Sequence, residues 1–448
     1  MADAGRELVV VGAGVSGLRV ALNALDRGQK VTLVEGRSEV GGLTSTQTLE
    51  SPEGPVEVDR FYHVIMESDA TVRALLDDLG LGGRVIFTSA PAELVSDGQQ
   101  YPASSIVQMA MLPALKLADR LRIGFSGAAS LALPLRLADT MTSASLLRRL
   151  AGKSAYKNFW GPILRAKLGT QADQVSATLI VSTFRRLIQA RLKGAGDRFG
   201  VLPRGYAPIV SAMRARVEAR GGEFRTGTAV TNVRSEGTGE ATTVTVTLED
   251  GSELTADQVV LTTPGPVTTK LVPQLTPRER AQLTSSPYLG VVCGVYLLDT
   301  PPNDSYITYL TDDVGLTGVI GMHALLGPRY TGGGYLVYLP HYCASDDPWF
   351  DEDDDVLADR LFAAMQECFP HYTGRVLARA VNKARYVVPL PLPKADPPLP
   401  FVTSVPGVVV VSTAQNRTGT LNVEGSLSMA DEASAAMAGA HDPSNTNK

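Results

Sequence analysis

The chain has 448 residues, and at roughly 150 residues per domain this implies two or three domains rather than one small one. Its three cysteines, Cys293, Cys343 and Cys368, have no CxxC spacing and no paired histidines, which excludes a disulfide framework and argues against a structural zinc site. Forty-one Lys and Arg against 46 Asp and Glu give a net charge of −5, so no basic field is present to hold nucleic acid and no nucleic-acid partner is expected.

The first residues run directly into the apolar Leu8–Val11, without the charged region and hydrophobic core of a signal peptide, so a cytoplasmic protein is expected. Residues 7–12 form a β-branched run that reads as a strand. Val15, Leu18, Leu22 and Leu25 then recur at helical spacing until Gly28, and residues 30–35 read as a second strand. Between the first strand and the helix stands Gly12-Ala-Gly14-Val-Ser16-Gly17, the GxGxxG arrangement. Gly12 allows the tight turn, Gly14 admits a pyrophosphate to the backbone and Gly17 lets helix and strand pack closely. A helix N-terminus there favours the phosphates. Glu35 closes the second strand, where a carboxylate can bind the adenosine ribose and repel a 2′-phosphate.

Gly36, Arg37, a second glycine pair Gly41-Gly42, and then Leu43 and Thr44 follow that acid. With these residues the chain resembles the flavin-containing amine oxidase and protoporphyrinogen oxidase superfamily, which includes carotenoid desaturases and is distantly similar to UDP-galactopyranose mutase. The resemblance implies noncovalently bound FAD, wrapped by the acid, the Arg and the Gly-Gly pair. No Cys or His stands in a flavinylation motif. Leu43 replaces an Arg found in many members.

The resemblance covers nearly the whole chain. Val201-Leu-Pro-Arg-Gly205-Tyr, a helical stretch to Arg220 and Gly221–Val230 resemble the family's return crossover, with Val230 at the adenine position. Residues 244–248 and 258–262 read as strands around the Asp250-Gly251 turn. Residues 407–412 read as a buried strand. Residues 413–425, leading into a helix over 426–437, resemble the closing flavin motif, with Asn416 and Val423 as cofactor contacts and Gln415-Asn416 in place of the family's Gly-Asp. An α/β architecture follows, in which a Rossmann-type FAD-binding domain (1–60, 205–263, 401–440) is interleaved with a mixed α+β substrate domain (61–204, 264–400), before a disordered tail (441–448).

Catalytic candidates are fewer, because flavin itself carries the redox chemistry. In Asp59-Arg-Phe-Tyr-His63, His63 reads either as a proton shuttle near neutral pH or as a hydrogen-bonded structural histidine. Tyr338 and Tyr342 share one face of an alternating strand, with His341 on the other, and read either as a substrate sandwich or as sheet surface. Amine oxidases carry on a substrate-domain strand a Lys linked through water to the flavin. Residues 289–297 resemble that strand, with Val292 at the Lys position, which counts against rapid reaction with oxygen. The basic group Arg185, Arg186, Arg191, Lys193 and Arg198 reads as a solvated face or an anion-binding patch. Residues 346–359 read as an acidic helix start, and Phe159 and Trp160 as core.

The expected function is oxidation of a C–C or C–N bond in a small molecule, with oxygen, a quinone or another carrier accepting the electrons. The alternatives are a redox-neutral flavoenzyme resembling UDP-galactopyranose mutase and a flavin-binding sensor without turnover. The most apolar run, residues 123–135, is too short to span a bilayer, so no transmembrane segment is expected and a peripheral membrane contact is left open.

Overall fold

Short β-branched runs decide the first layer. In the computed structural model, which describes residues 4–440 apart from 97, 106–107, 109–114, 193–197, 313, 394–396 and 417–421, strands β1 (Glu7–Val11) and β2 (Lys30–Glu35) flank helix α1 (Val15–Asp26). They pair in parallel at the centre of a five-stranded sheet. Its order is Glu223–Thr226, β2, β1, Gln258–Leu261, Val408–Val410, with every pairing parallel. The strands come from three separated stretches of sequence. Val9, Val11, Val259 and Leu261 pack into one layer, and Leu8, Val10, Leu33 and Val260 into the other, with α1 and the helices Ala207–Ala219 and Val423–Ala440. Both faces are covered, which is why these strands read as continuous apolar runs. Each fully buried Val or Leu contributes roughly 1.5 to 3 kcal/mol. The layers therefore hold the sheet, and the glycine loops at its edge need not.

A second sheet of seven strands has the order Val376–Pro389, Tyr288–Leu298, Tyr335–Ala344, Gly318–Gly321, Ile307–Leu310, Ala92–Ser96, Gln99–Pro102. One face packs on the helix Asp354–Cys368, where the Tyr296 hydroxyl donates to the Ala358 carbonyl at 2.6 Å. The other packs on the hairpin of β3 (Thr46–Ser51) and β4 (Gly54–Asp59) and on residues 61–64. The acidic run starts the Asp354–Cys368 helix as read: Asp353 accepts from the backbone N–H groups of Asp355 and Val356.

Several boundaries differ from the sequence reading. The closing helix begins at Val423 and runs to Ala440, and the strand expected over 407–412 is Val408–Val410. Residues 61–204 supply, beside their helices, strands at Ile86–Ser89, Ala92–Ser96, Gln99–Pro102 and Arg198–Val201. Phe159 is buried, and Trp160 sits edge-on between it and Phe184. No helix among the described residues is long and apolar enough to cross a membrane. The tail, 441–448, lies outside the described residues.

Candidate functional site

The turn from β1 into α1 is built around two steric facts. Gly12 has φ 100°, and a Cβ on Gly17 would stand 1.9 Å from the Gly12 carbonyl oxygen, so neither position tolerates a side chain. A Cβ on Gly14 would meet no protein atom closer than 3.8 Å, the Cα of Gly42. The protein leaves that space open at a helix N-terminus, as an anionic ligand requires. The second glycine pair closes over the first loop: the Gly41 N–H donates to Ala13 O at 2.8 Å, and Gly14 and Gly41 form an isolated parallel bridge. The buried Thr44 hydroxyl donates to Gly41 O and staples this turn, while Leu43 is 37% exposed beside it. Ser16 Oγ reaches the Ser426 carbonyl at 3.4 Å, tying α1 to the closing helix.

Glu35 ties the first glycine loop to the turn that follows β2. Its carboxylate accepts the Ala13 N–H at 2.9 Å and the Arg37 N–H at 3.0 Å, and the Arg37 side chain lies exposed. Gly36 backs onto Ala229, next to half-buried Val230 at the start of a strand. Thr228 donates its N–H to Glu35 O, yet its Oγ1 is buried with no partner. Ser45 Oγ, Gln47 Nε2 and Asn382 Nδ2 are likewise buried and unpartnered. Buried polar groups are ordinarily satisfied, at a cost of about 1 to 3 kcal/mol when they are not. Unpartnered groups at Thr228, beside Glu35, and at Ser45, beside Gly41, fit a polar ligand lying along the glycine loops. At the far end, Val423 opens the closing helix, where Asn422 Oδ1 accepts the Gly425 N–H. Asn416 ends the 3₁₀ turn Thr413–Gln415. Gln415 is used structurally, accepting from Ser412 N–H and donating to Leu399 O.

The phase of the second sheet sorts its side chains. Val291, Cys293 and Val295 stand opposite Tyr342, Pro340 and Tyr338 on one side, and opposite Ala384, Asn382 and Ala380 on the other. These residues face the β3–β4 hairpin, Phe61 and Tyr62. Val292 belongs to the opposite face, with Tyr296, Leu357 and Leu361. The placement of Val292 at the Lys position is therefore corrected: it points away from the cofactor side, and the inward positions are Val291, Cys293 and Val295. None is a cation. The cations of the neighbouring strand also point outward, where Arg379, Lys383 and Arg385 pair with Asp359, Asp354 and Asp351. Asn382 Oδ1 accepts from Arg60, which also reaches Glu39 at 3.5 Å.

Tyr342 and Tyr338 share the inward face, as the alternation implies. Tyr62 lies beside Tyr342, and burial raises both phenols. Tyr338 donates its hydroxyl to the Asp59 carbonyl at 2.8 Å, which fixes the end of β4. His341 lies on the outer face, stacked on Trp349. His63 turns the other way from Tyr62, against Tyr206 at 5.3 Å, with Nδ1 on the Phe61 carbonyl at 2.8 Å. Part of the residue reaches the surface, but its ring is desolvated, which lowers it to about 4. A lowered imidazole of this kind is neutral at pH 7, which favours the structural reading of His63 over the shuttle. Beside it in one narrow cleft lies Asp59, pushed up to about 8 by desolvation and by Glu57 despite the Tyr206 N–H at 2.8 Å. The cleft is lined also by Arg204, Tyr330 and Tyr338.

The two described side chains of the basic group are engaged separately. Arg185 donates to the carbonyls of Leu131 and Leu133, capping the end of the helix Leu117–Ala132, and Arg198 pairs with Glu67 and the Phe87 carbonyl. Lys193 and the side chains of Arg186 and Arg191 lie outside the described residues. Thr228, Asn382, Arg60, Asp59 and Cys293 are absent from the sequence-derived candidates. Asn382 had a readable signal, a polar residue in the small-residue period Ala378, Ala380, Asn382, Ala384.

Comparison with known proteins agrees with this architecture. The family model for flavin containing amine oxidoreductases matches residues 15–438. A coproporphyrinogen III oxidase from Propionibacterium freudenreichii is 25% identical over 419 residues, covering 78% of this chain and 75% of that protein. The crystal structure of a putative protoporphyrinogen oxidase from Exiguobacterium superposes with a TM-score of 0.74 at 15% identity, covering 97% of this chain and 99% of that one. Reduced UDP-galactopyranose mutase superposes with a TM-score of 0.73 at 16% identity, covering 97% and 96%. Because the family model spans nearly the whole chain, the chain belongs to the flavin containing amine oxidoreductases and is an FAD-dependent oxidoreductase.

Proposed function

We propose that the chain oxidises a C–C or C–N bond of an apolar small molecule and delivers the electrons to an acceptor other than oxygen. The observation that carries this reading is the inward face of the seven-stranded sheet. On that face and the 60–62 segment packed against it, the described residues Val291, Cys293, Val295, Ala380, Ala384, Tyr342 and Tyr62 offer apolar and aromatic surface, with Asn382 and Arg60 as polar groups. A surface of that kind binds by apolar contact and orients through one or two polar groups. FAD, when bound, supplies the acceptance of hydride.

The chain's own residues bind and position. Gly12, Gly14, Ser16 and Gly17 would receive the pyrophosphate at the α1 N-terminus, and Glu35, Gly36, Arg37, Thr228 and Val230 the adenosine. Gly41, Gly42, Leu43, Thr44, Ser45, Asn416 and Val423 would line the remainder. Tyr62 and Tyr342 would flank the substrate, while His63 and Tyr338 would position the 59–63 segment. The sheet topology supports an FAD domain made of 1–60, 205–263 and 401–440 and a substrate domain made of 61–204 and 264–400.

The redox-neutral reading is supported by likeness of fold to the mutase. Arg185 and Arg198, the described members of the candidate anion-binding group, are engaged elsewhere and lend it no support. Anaerobic mixing with a panel of primary amines and coproporphyrinogen III, the substrate named by the Propionibacterium relative, tests the proposal. Bleaching of the visible flavin band is expected with at least one compound class. Turnover seen only after dithionite reduction would contradict it.

A further inference from the structure

The outer face of the seven-stranded sheet, turned away from the flavin side, gathers three side chains of metal-ligand type. In the Tyr335–Ala344 strand, His341 and Cys343 are separated by one residue, and the strand's period of two sets both side chains on the same face, opposite Val292 and Gly290. The chain turns directly after the strand, where the Asp347 N–H donates to the Ala344 carbonyl at 3.0 Å. That turn carries Asp347 back toward the pair. A ring nitrogen of His341, the Cys343 sulfur and a carboxylate oxygen of Asp347 all lie within 4.8 Å of one another. Cys343 is 6% exposed, and the other two are half-buried. Cysteine spacing in the sequence argues against zinc by the lack of CxxC, but His-x-Cys becomes a pair only on a strand, and Asp347 joins it only through the turn.

One tryptophan orients two of the three. Trp349 stacks on the His341 ring with centroids 3.9 Å apart, and its backbone N–H donates to Asp347 Oδ1 at 3.0 Å. Arg360 covers the Trp349 ring at 4.7 Å. His341 Nδ1 donates to the Gly315 carbonyl at 2.7 Å, which assigns the lone pair of the neutral ring to Nε2. A ring N–H held on a backbone carbonyl is the arrangement that fixes the tautomer and direction of a metal-bound histidine. Arg385, a cation near Cys343, is engaged by Asp351 and by the Ser345 carbonyl.

We propose that His341, Cys343 and Asp347 bind one zinc ion, with water as the fourth ligand. Imidazole, thiolate and carboxylate are all zinc ligands, and the two anionic ones match the charge of a divalent ion, the thiol proton passing to solvent. Bonds of about 2.0 to 2.3 Å set ligand atoms about 3.3 to 3.8 Å apart in a tetrahedron, so the side chains close by about 1 Å on binding. Calcium and magnesium take oxygen ligands and fit this set poorly. Tyr342 stands between the two strand ligands and faces the opposite side of the sheet, so the ion pins the stretch of strand that carries it.

The test is titration of the FAD-loaded full chain, freed of metal with a chelator, first with Co²⁺ and then with Zn²⁺. One equivalent of Co²⁺ should give the ultraviolet thiolate-to-cobalt charge-transfer band in the difference spectrum, and Zn²⁺ should displace it. Cys343→Ser should abolish the band, while Cys368→Ser, a buried thiol outside the cluster, should keep it. His341→Ala and Asp347→Asn should each weaken Zn²⁺ binding by at least about tenfold. Unchanged FAD content and elution volume verify that the variants fold, and Asp347→Asn carries the test alone if the change at buried Cys343 does not. Absence of the band in wild type, a band that survives Cys343→Ser, or Zn²⁺ affinity unchanged in Asp347→Asn would overturn the proposal.

Discussion

Replacing Asp59 by Asn probes the buried end of β4. Asp59 is 4% exposed, accepts the Tyr206 N–H at 2.8 Å and lies beside Glu57, which together with desolvation carries its carboxyl from 3.8 to about 8. Between those two values the folded chain holds a proton that the unfolded chain has lost, so stability falls as pH rises, by up to about 1.36 kcal/mol per unit. His63 acts in the opposite sense. Lowered from 6.5 to about 4, it makes stability rise across that lower window. The two contributions oppose each other below 6.5, and from 6.5 to 8 Asp59 acts alone. One proton over about 1.5 pH units amounts to about 2 kcal/mol. Asn mimics the neutral acid, accepting from Tyr206 and unable to ionise. Urea unfolding at saturating FAD should show wild type losing about 2 kcal/mol relative to Asp59→Asn as pH rises from 6.5 to 8. Parallel pH profiles would refute the reasoning.

Glu35→Ala should weaken FAD binding by roughly 1.5 to 3 kcal/mol, the worth of a hydrogen bond to a charged group, as read by titration of the apoprotein. Asn382→Ala removes an amide whose Nδ2 has no protein partner, so FAD affinity should drop by roughly five- to tenfold, about 1 to 1.4 kcal/mol, while apoprotein stability changes little. Unchanged affinity would place that amide outside the cofactor site. Photoreduced enzyme mixed with air-saturated buffer should reoxidise slowly, because Val291, Cys293 and Val295 offer no cation, Arg60 is engaged by Asn382 and Glu39, and a positioned cation is worth roughly 2.7 to 4 kcal/mol. Reoxidation as fast as in true amine oxidases would show that another cation serves.

The nucleotide half of the site was legible because its constraints are local. Gly12, Gly14, Gly17 and Glu35 lie on one strand–turn–helix–strand unit, and the structure places each where the spacing implies. The catalytic half was not. Every residue of the Tyr288–Leu298 strand is buried, so it lacks the alternation that reveals which side chains face inward. The misplacement of Val292 follows from that. The Val376–Pro389 strand does alternate, with Ala378, Ala380, Asn382 and Ala384 on one face and Arg379, Lys383 and Arg385 on the other, and its phase could have been read. The state of His63 depends on desolvation by Tyr206 and its neighbours, far away in sequence. Arg185 was read as part of a charge group because nothing local shows that the Leu117–Ala132 helix ends beside it.

The central claim is that three separated segments build one FAD site around the glycine loops, and release of the cofactor from purified protein tests it most directly. Heat-denatured wild type is expected to release one intact, noncovalently held FAD per chain. Gly14→Asp, which sets a carboxylate into the open space at the α1 N-terminus, should yield folded protein without flavin. Recovery of FMN or a nicotinamide instead, or full FAD occupancy in Gly14→Asp, would contradict the account.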